Sequence, residues 1–210
     1  MKKFLEKIRK VEKRLSSKKM AAYSLLILFS GAGLGFVSKW LDSRVFGVGF
    51  LDYLDLGNFF SDFAIWFLLA LLISVYSASP KRASVNVFLF FVGMVASYHL
   101  YTVLFSGFNP QSYMMIWYGL TAVSPALAFV CWYAKSKSRY AIVIDSVIIF
   151  VMLAACFGIG MWYVDMKGIL YLITFAASMA VIFKDIKNIS ISFVIGLILA
   201  FLIRIPVISG

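Results

Sequence analysis

The sequence predicts an all-α polytopic bundle that crosses a bilayer about seven times, preceded by a basic amphipathic helix. Three observations predict it. First, 63% of the 210 residues are hydrophobic and only 14% are charged, giving a mean hydropathy of +0.95. A soluble domain is roughly half apolar and about a quarter charged. Second, apolar runs of the length a helix needs to cross hydrocarbon, about 20 residues, recur along the chain. Stretches such as residues 63–73 (FAIWFLLALLI) are apolar on every side, which excludes the polar/apolar alternation of an outer-membrane barrel. Third, Lys and Arg collect in alternate connections between these runs.

Residues 1–20 carry nine Lys or Arg between Lys2 and Lys19, while Phe4, Ile8, Val11 and Leu15 form one helical stripe. This reads as an amphipathic helix resting on an anionic inner leaflet. A cleaved signal peptide fits less well, because no small-residue cleavage site follows the first apolar run and six more apolar segments do. The rest, residues 21–210, is one transmembrane unit with spans at about 21–39, 59–78, 85–107, 113–134, 140–163, 168–183 and 189–208. Breakers fall at Pro80, at Gly107 and Pro110, at Gly168 and at Asn188. The short connections at 79–84, 108–112, 135–139, 164–167 and 184–188 make consecutive helices antiparallel neighbours.

With the N-terminus inside, sixteen of the twenty Lys and Arg lie on the cytoplasmic side. Lys39, Arg44, Lys167 and Arg204 are the four outside, so the positive-inside rule gives seven spans with the C-terminus out. The place expected is a cell membrane with the basic connections on its cytoplasmic side. Trp40, Trp117 and Trp162 fall at outer ends and Trp132 at an inner end, as interfacial anchors, whereas Trp66 lies deeper and faces protein. The one long connection, residues 41–58, mixes Asp42, Asp52 and Asp55 with apolar side chains. It is either a spacer on the headgroups or a lid over the bundle.

The net charge of +11 would suggest nucleic acid in a soluble chain. Here the cations sit between apolar runs, so the expected partner is anionic lipid and not nucleic acid. HExxH, GxSxG, CxxC and phosphate-binding glycine loops are absent, and His99 is the only histidine. Cys131 and Cys156 have no metal spacing and read as packing residues. A non-enzyme without metal or cofactor is expected.

Polar groups inside the membrane carry the functional reading, since each costs a few kcal/mol unless paired or facing a cavity. The outer halves of spans 1, 2, 3, 4 and 7 collect Lys39, Asn58, Asp62, Tyr98, His99, Tyr101, Tyr113, Trp117 and Arg204. If they converge, they line an outward-facing pocket for a small solute. Each also has a structural reading: Asp62 in the first helical turn with Asn58 as cap, Lys39 and Arg204 snorkelling, His99 hydrogen-bonded to a neighbouring helix. On the inner side, Asp145 lies roughly 9 Å into its span. It calls for a partner among Lys81, Arg82 and Asn86, as a structural ion pair or as a proton or cation relay. Pro125, after Ser124, interrupts the hydrogen-bond ladder of span 4. Gly31/Gly35, Ala154/Gly158, Cys156/Gly160 and Ala176/Ala180 carry the small-xxx-small spacing of close helix contacts, within the chain or toward a partner subunit.

Residues 33–42 (GLGFVSKWLD), 58–72 (NFFSDFAIWFLLALL), 80–102 (PKRASVNVFLFFVGMVASYHLYT) and 124–134 (SPALAFVCWYA) together resemble an uncharacterised family of small multi-pass membrane proteins, mostly from Gram-positive bacteria. That resemblance implies a membrane bundle and supplies no activity. In size and layout the chain is also similar to the substrate-binding subunits of energy-coupling-factor vitamin transporters, which bind solute near the outer face. Those subunits usually carry AxxxA in the first span, where this chain has GxxxG. The function expected is a small-solute transporter or its substrate-capturing subunit. The alternative is a non-transporting factor that assists or regulates an envelope complex through its basic N-terminal helix.

Overall fold

The computed structural model describes residues 8–11, 16–43, 54–107, 110–159 and 163–203. Arg204, Trp162, Gly160, most of the basic N-terminal segment and the centre of the 41–58 connection lie outside these residues. Among the described residues there are eight α-helices and one short hairpin.

Helix α1, Ser17–Asp42, starts at Ser16, whose hydroxyl accepts from the Lys19 N–H at 3.5 Å. Helix α2, Leu56–Ser61, and α3, Phe63–Tyr76, are separated by Asp62, which is extended (φ −86°, ψ 161°) and caps α3 by accepting from the Phe63 N–H at 2.6 Å. The second span is therefore not one helix from residue 59. Asp62 stands before the first turn of α3, and Asn58 is not its cap, since the Asn58 amide donates to the Asp55 carboxylate at 2.8 and 3.0 Å.

Helix α4, Pro80–Tyr101, opens with Pro80 and with Ser79 accepting from the Arg82 N–H at 3.2 Å, an arrangement that suits a ring lacking an N–H. It runs into a π-helical turn, Thr102–Ser106, closed by left-handed Gly107. Helix α5, Gln111–Cys131, continues as the 3-10 turn Trp132–Lys135. Pro125 leaves the Thr121 carbonyl without its helical partner, and the Ser124 hydroxyl donates to it at 2.8 Å.

Helix α6, Arg139–Cys156, is shorter than the expected 140–163. Strand β1, Phe157–Ile159, turns back along β2, Val164–Met166, in antiparallel register with Gly158 opposite Asp165. Aromatic and β-branched residues with interspersed glycines favour a strand over one more helical turn. Gly158 is thus in a strand and marks no helix-packing face with Ala154. Helix α7 is Ile169–Ile182, and α8 is Ile186–Ile203. Asn188 lies inside α8 and does not break it; its N–H and amide both donate to Asp185 at 2.8 Å.

The helices alternate in direction and sort the charges. One end carries Lys18, Lys19, Lys81, Arg82, Lys135, Lys137, Arg139, Lys184 and Lys187 and is called the basic end below. α1, α4, α5, α6 and α8, with their terminal turns, are long and apolar enough to cross a membrane, while α3 and α7 have 14 residues each. The outward faces are greasy, with Leu25, Leu26, Phe29, Val143, Ile173 and Leu202 all more than half exposed. Water does not tolerate so wide an apolar surface, and lipid does. The fold is an all-α bundle compatible with a multi-pass membrane protein.

α3 lies between two cores. Leu68, Leu71 and Val75 join α6, α7 and α8, while Trp66 joins α4 and α5. The closest helix pair is α1 with α4. A Cβ at Gly31, Gly35 or Gly93 would strike the carbonyls of Phe90, Met94 or Leu28 respectively. The GxxxG face is therefore consumed inside the chain. Chain neighbours do not always pair: α8 packs on α6, where Gly196 meets Ile149. Ala176 and Ala180 are exposed, and α7 buries Thr174 and Ser178 instead.

Candidate functional site

At the end opposite the basic one, five helices converge on a cavity of about 10 Å³, the space of one water. α1 brings Ser38; α2 brings Phe60; α3 brings Trp66. Met94, Val95 and Tyr98 come from α4, and Tyr113, Met114 and Trp117 from α5. Met94/Tyr98 and Tyr113/Trp117 are four residues apart, so each pair shares a helix face. Adjacent rings stand at 6.0 Å (Tyr98–Tyr113) and 6.4 Å (Tyr113–Trp117, Trp66–Trp117, Phe60–Trp66).

The wall formed by α2 is held by its carbonyls. Ser38 Oγ and Trp66 Nε1 both donate to the Phe60 carbonyl, at 3.0 and 2.8 Å, and Tyr113 Oη donates to the Ser61 carbonyl at 3.2 Å. This short helix lies between two backbone breaks, left-handed Asp55 (φ 46°) and extended Asp62. Two ion pairs flank it. Lys39 Nζ lies 2.5 Å from Asp42 Oδ2 and 5.4 Å from the Tyr98 ring centroid. Lys167 Nζ, from the segment between β2 and α7, lies 2.8 Å from Asp62 Oδ2 and 5.3 Å from the Tyr171 ring.

Of the side chains singled out by sequence, Tyr98, Tyr113 and Trp117 line the cavity, Lys39 sits beside it and Asp62 borders it. Three lie elsewhere. His99 meets Tyr118 Oη at 3.1 Å on the outward face of α4 and α5, and Tyr101 packs edge-on against Phe36 at 5.0 Å. Asn58 is exposed and bonded to Asp55. Ser38, Phe60, Met94, Val95 and Met114 complete the wall without having been singled out. Ser38 was findable, since Gly31, Gly35 and Ser38 form an i, i+4, i+7 stripe. Phe60 was not, because its position depends on the chain break at Asp62.

The basic end is organised differently. Asp145 does not pair with Lys81, Arg82 or Asn86; its partner is Lys184, at 2.6 Å, from the turn between α7 and α8. Sequence distance hid this pair, which forms because α8 packs back on α6. Arg82 donates to the Met20 carbonyl at 2.8 Å and to the Ser24 hydroxyl. Ser24 donates to Asn86 Oδ1 at 3.0 Å, and the Asn86 amide donates to Ser77 Oγ at 3.2 Å. Trp132 is fully buried and not interfacial, because its indole N–H donates to the Ser77 carbonyl at 2.6 Å. Above it, the Arg9 guanidinium lies 4.1 Å from the ring centroid and donates to the Val75 and Trp132 carbonyls at 3.0 and 2.6 Å. Arg9 thus caps the ends of α3 and of the turn after α5, a role its place in a basic run concealed.

Both cysteines are free, and among the described residues no three His, Cys, Asp or Glu side chains gather. The chain was compared with protein-family models, curated proteins and solved structures, and it matches none of them.

Proposed function

We propose that the chain captures a small solute at its non-basic end, as a transporter or as the substrate-binding subunit of one. In this reading the bundle spans a bacterial cytoplasmic membrane seven times. The N-terminus and the basic end face the cytoplasm and its anionic lipid, the cavity faces outward, and no covalent chemistry is involved.

The reading rests on side chains from five helices that enclose one aromatic space, with an α2 wall joined to it by three side-chain hydrogen bonds to carbonyls and by the packing of Phe59 on Tyr171. A solute site needs apolar walls with a few aimed polar groups, and access needs an element that can move without unfolding its neighbours. Leu56–Ser61, six residues between two non-helical points, has that form. The test is a thermal-shift screen of purified protein against pooled metabolites, repeated on Trp117→Ala. A stabilising solute whose effect disappears in Trp117→Ala supports the site; an undiminished effect rejects it.

A further inference from the structure

We propose that the solute is a small organic cation and that Lys39 occupies its place in the closed state; this rests on the binding site proposed above. The walls specify the charge. Of the nine residues lining the cavity, five are aromatic and none is charged. An aromatic face is negative at its centre, so a wall rich in aromatic rings and free of cations favours a desolvated cation over an anion. The nearby carboxylates have the matching sign. Asp42 lies against Lys39, and Asp62 is one residue beyond Ser61, whose carbonyl accepts from the lining residue Tyr113.

Lys39 shows this preference within the molecule. It is 8% exposed, yet its ammonium does not snorkel to water. It lies over the Tyr98 ring at 5.4 Å with Asp42 at 2.5 Å, which is the geometry an amine ligand would take with an aromatic face and a counter-ion. Lys39 follows Ser38, so the lysine stem that reaches Tyr98 starts one residue from the side chain that holds the Phe60 carbonyl. Displacing the ammonium from Tyr98 and releasing the α2 wall are therefore adjacent events on α1. The closed space of about 10 Å³ holds no room for a solute, and beside it the tethered ammonium of Lys39 holds the Tyr98 ring that the free cation would take. A free amine or quaternary ammonium ion takes over the Tyr98 face and Asp42 when Lys39 swings away.

The test uses full-length protein in nanodiscs and calorimetric titration with tetramethylammonium and with tert-butanol, a neutral molecule of similar shape. Tetramethylammonium should bind, and Lys39→Met should tighten it by about tenfold, the scale of one cation–π contact with its counter-ion released. Adding Tyr98→Leu to Lys39→Met should remove that gain, and Tyr98→Phe in its place should restore it, which separates the ring from Asp42 acting alone and from misfolding. Tert-butanol should bind at least about tenfold more weakly than the cation. Equal binding of the two probes, no tetramethylammonium binding in either background, or a gain indifferent to Tyr98→Leu each overturns the cation assignment. The site itself is judged separately, by whether Trp117→Ala abolishes the thermal shift given by the screened solute.

Discussion

At the basic end Asp145 and Lys184 meet at 2.6 Å with side chains 0% and 6% exposed, whereas at the opposite end Asp62 and Lys167 meet at 2.8 Å with 18% and 22% exposed. Neither Asp145 oxygen nor the Lys184 ammonium has a hydrogen-bond partner beyond that contact among the described residues. Asp62 also accepts the Phe63 N–H, and Lys167 also lies over Tyr171. The first pair stands or falls together; the second has substitutes for each partner. The same division runs through the neighbouring side chains. Around Trp132, Ser77, Asn86, Ser24 and Arg82 the basic end is knitted to carbonyls and hydroxyls of four segments, whereas the opposite end holds a cavity whose α2 wall is pinned at two carbonyls. One end is densely cross-linked between helices, and the other is the end at which the proposed solute site would have to open.

The largest effect is expected from removing one charge of the buried pair. Asp145→Asn leaves Lys184 as an uncompensated cation in apolar surroundings and should destabilise the fold by about 3–5 kcal/mol, measured by denaturant unfolding in detergent. The double variant Asp145→Asn/Lys184→Met should recover most of that loss, because it buries no lone charge. Next in size is the α1–α4 seam. Gly31→Leu drives a side chain into the Phe90 carbonyl, where neither backbone can yield, and should cost about 1–3 kcal/mol or more. Gly33→Leu, whose Cβ would meet nothing within 4 Å, is its control and should leave the unfolding midpoint nearly unchanged.

The helices, their order and their alternation follow from apolar run length and from cation placement, because both are local properties of the chain. The hairpin after Cys156 was misread because residues 157–163 are as apolar as a span, and only the glycines and aromatics hint at a strand. Tyr98, Tyr113 and Trp117 are grouped in the sequence by their depth in the outer halves of the spans, and in the structure they also share the cavity. His99 and Tyr101 share their depth but meet Tyr118 and Phe36 away from the cavity, and depth alone does not specify azimuth. The Asp145–Lys184 pair was invisible for a different reason: it depends on α8 folding back on α6, a tertiary choice that no spacing records.

At the level of a single hydrogen bond, Trp132→Phe keeps most of the buried ring and the face under Arg9 but loses the indole donor to Ser77. It should cost about 1–3 kcal/mol, because the Ser77 carbonyl is left without that donor. Arg9→Lys tests the other side of the same ring. It keeps the charge and gives up the planar fork that serves the Val75 and Trp132 carbonyls, so its loss should be measurable in wild type and smaller in Trp132→Ala.

The smallest effect is expected from Asp62→Asn, and it bears most directly on the contrast between the ends. The asparagine oxygen still accepts from the Phe63 N–H, so the cap on α3 survives and only the pairing with Lys167 is lost. A partly exposed pair contributes about 0–1 kcal/mol, and unfolding of this variant should fall within that range. The comparison with Asp145→Asn holds chemistry fixed, since both substitutions replace a carboxylate with the isosteric amide opposite a lysine. Environment is then the variable. A large loss in Asp62→Asn, approaching that of Asp145→Asn, would mean that the Asp62–Lys167 link is a fixed fastening, and would count against the proposed opening of the α2 wall beside it. A small loss leaves that wall held by the hydrogen bonds of Ser38, Trp66 and Tyr113 and by the packing of Phe59, the weaker fastening that the proposed solute site requires.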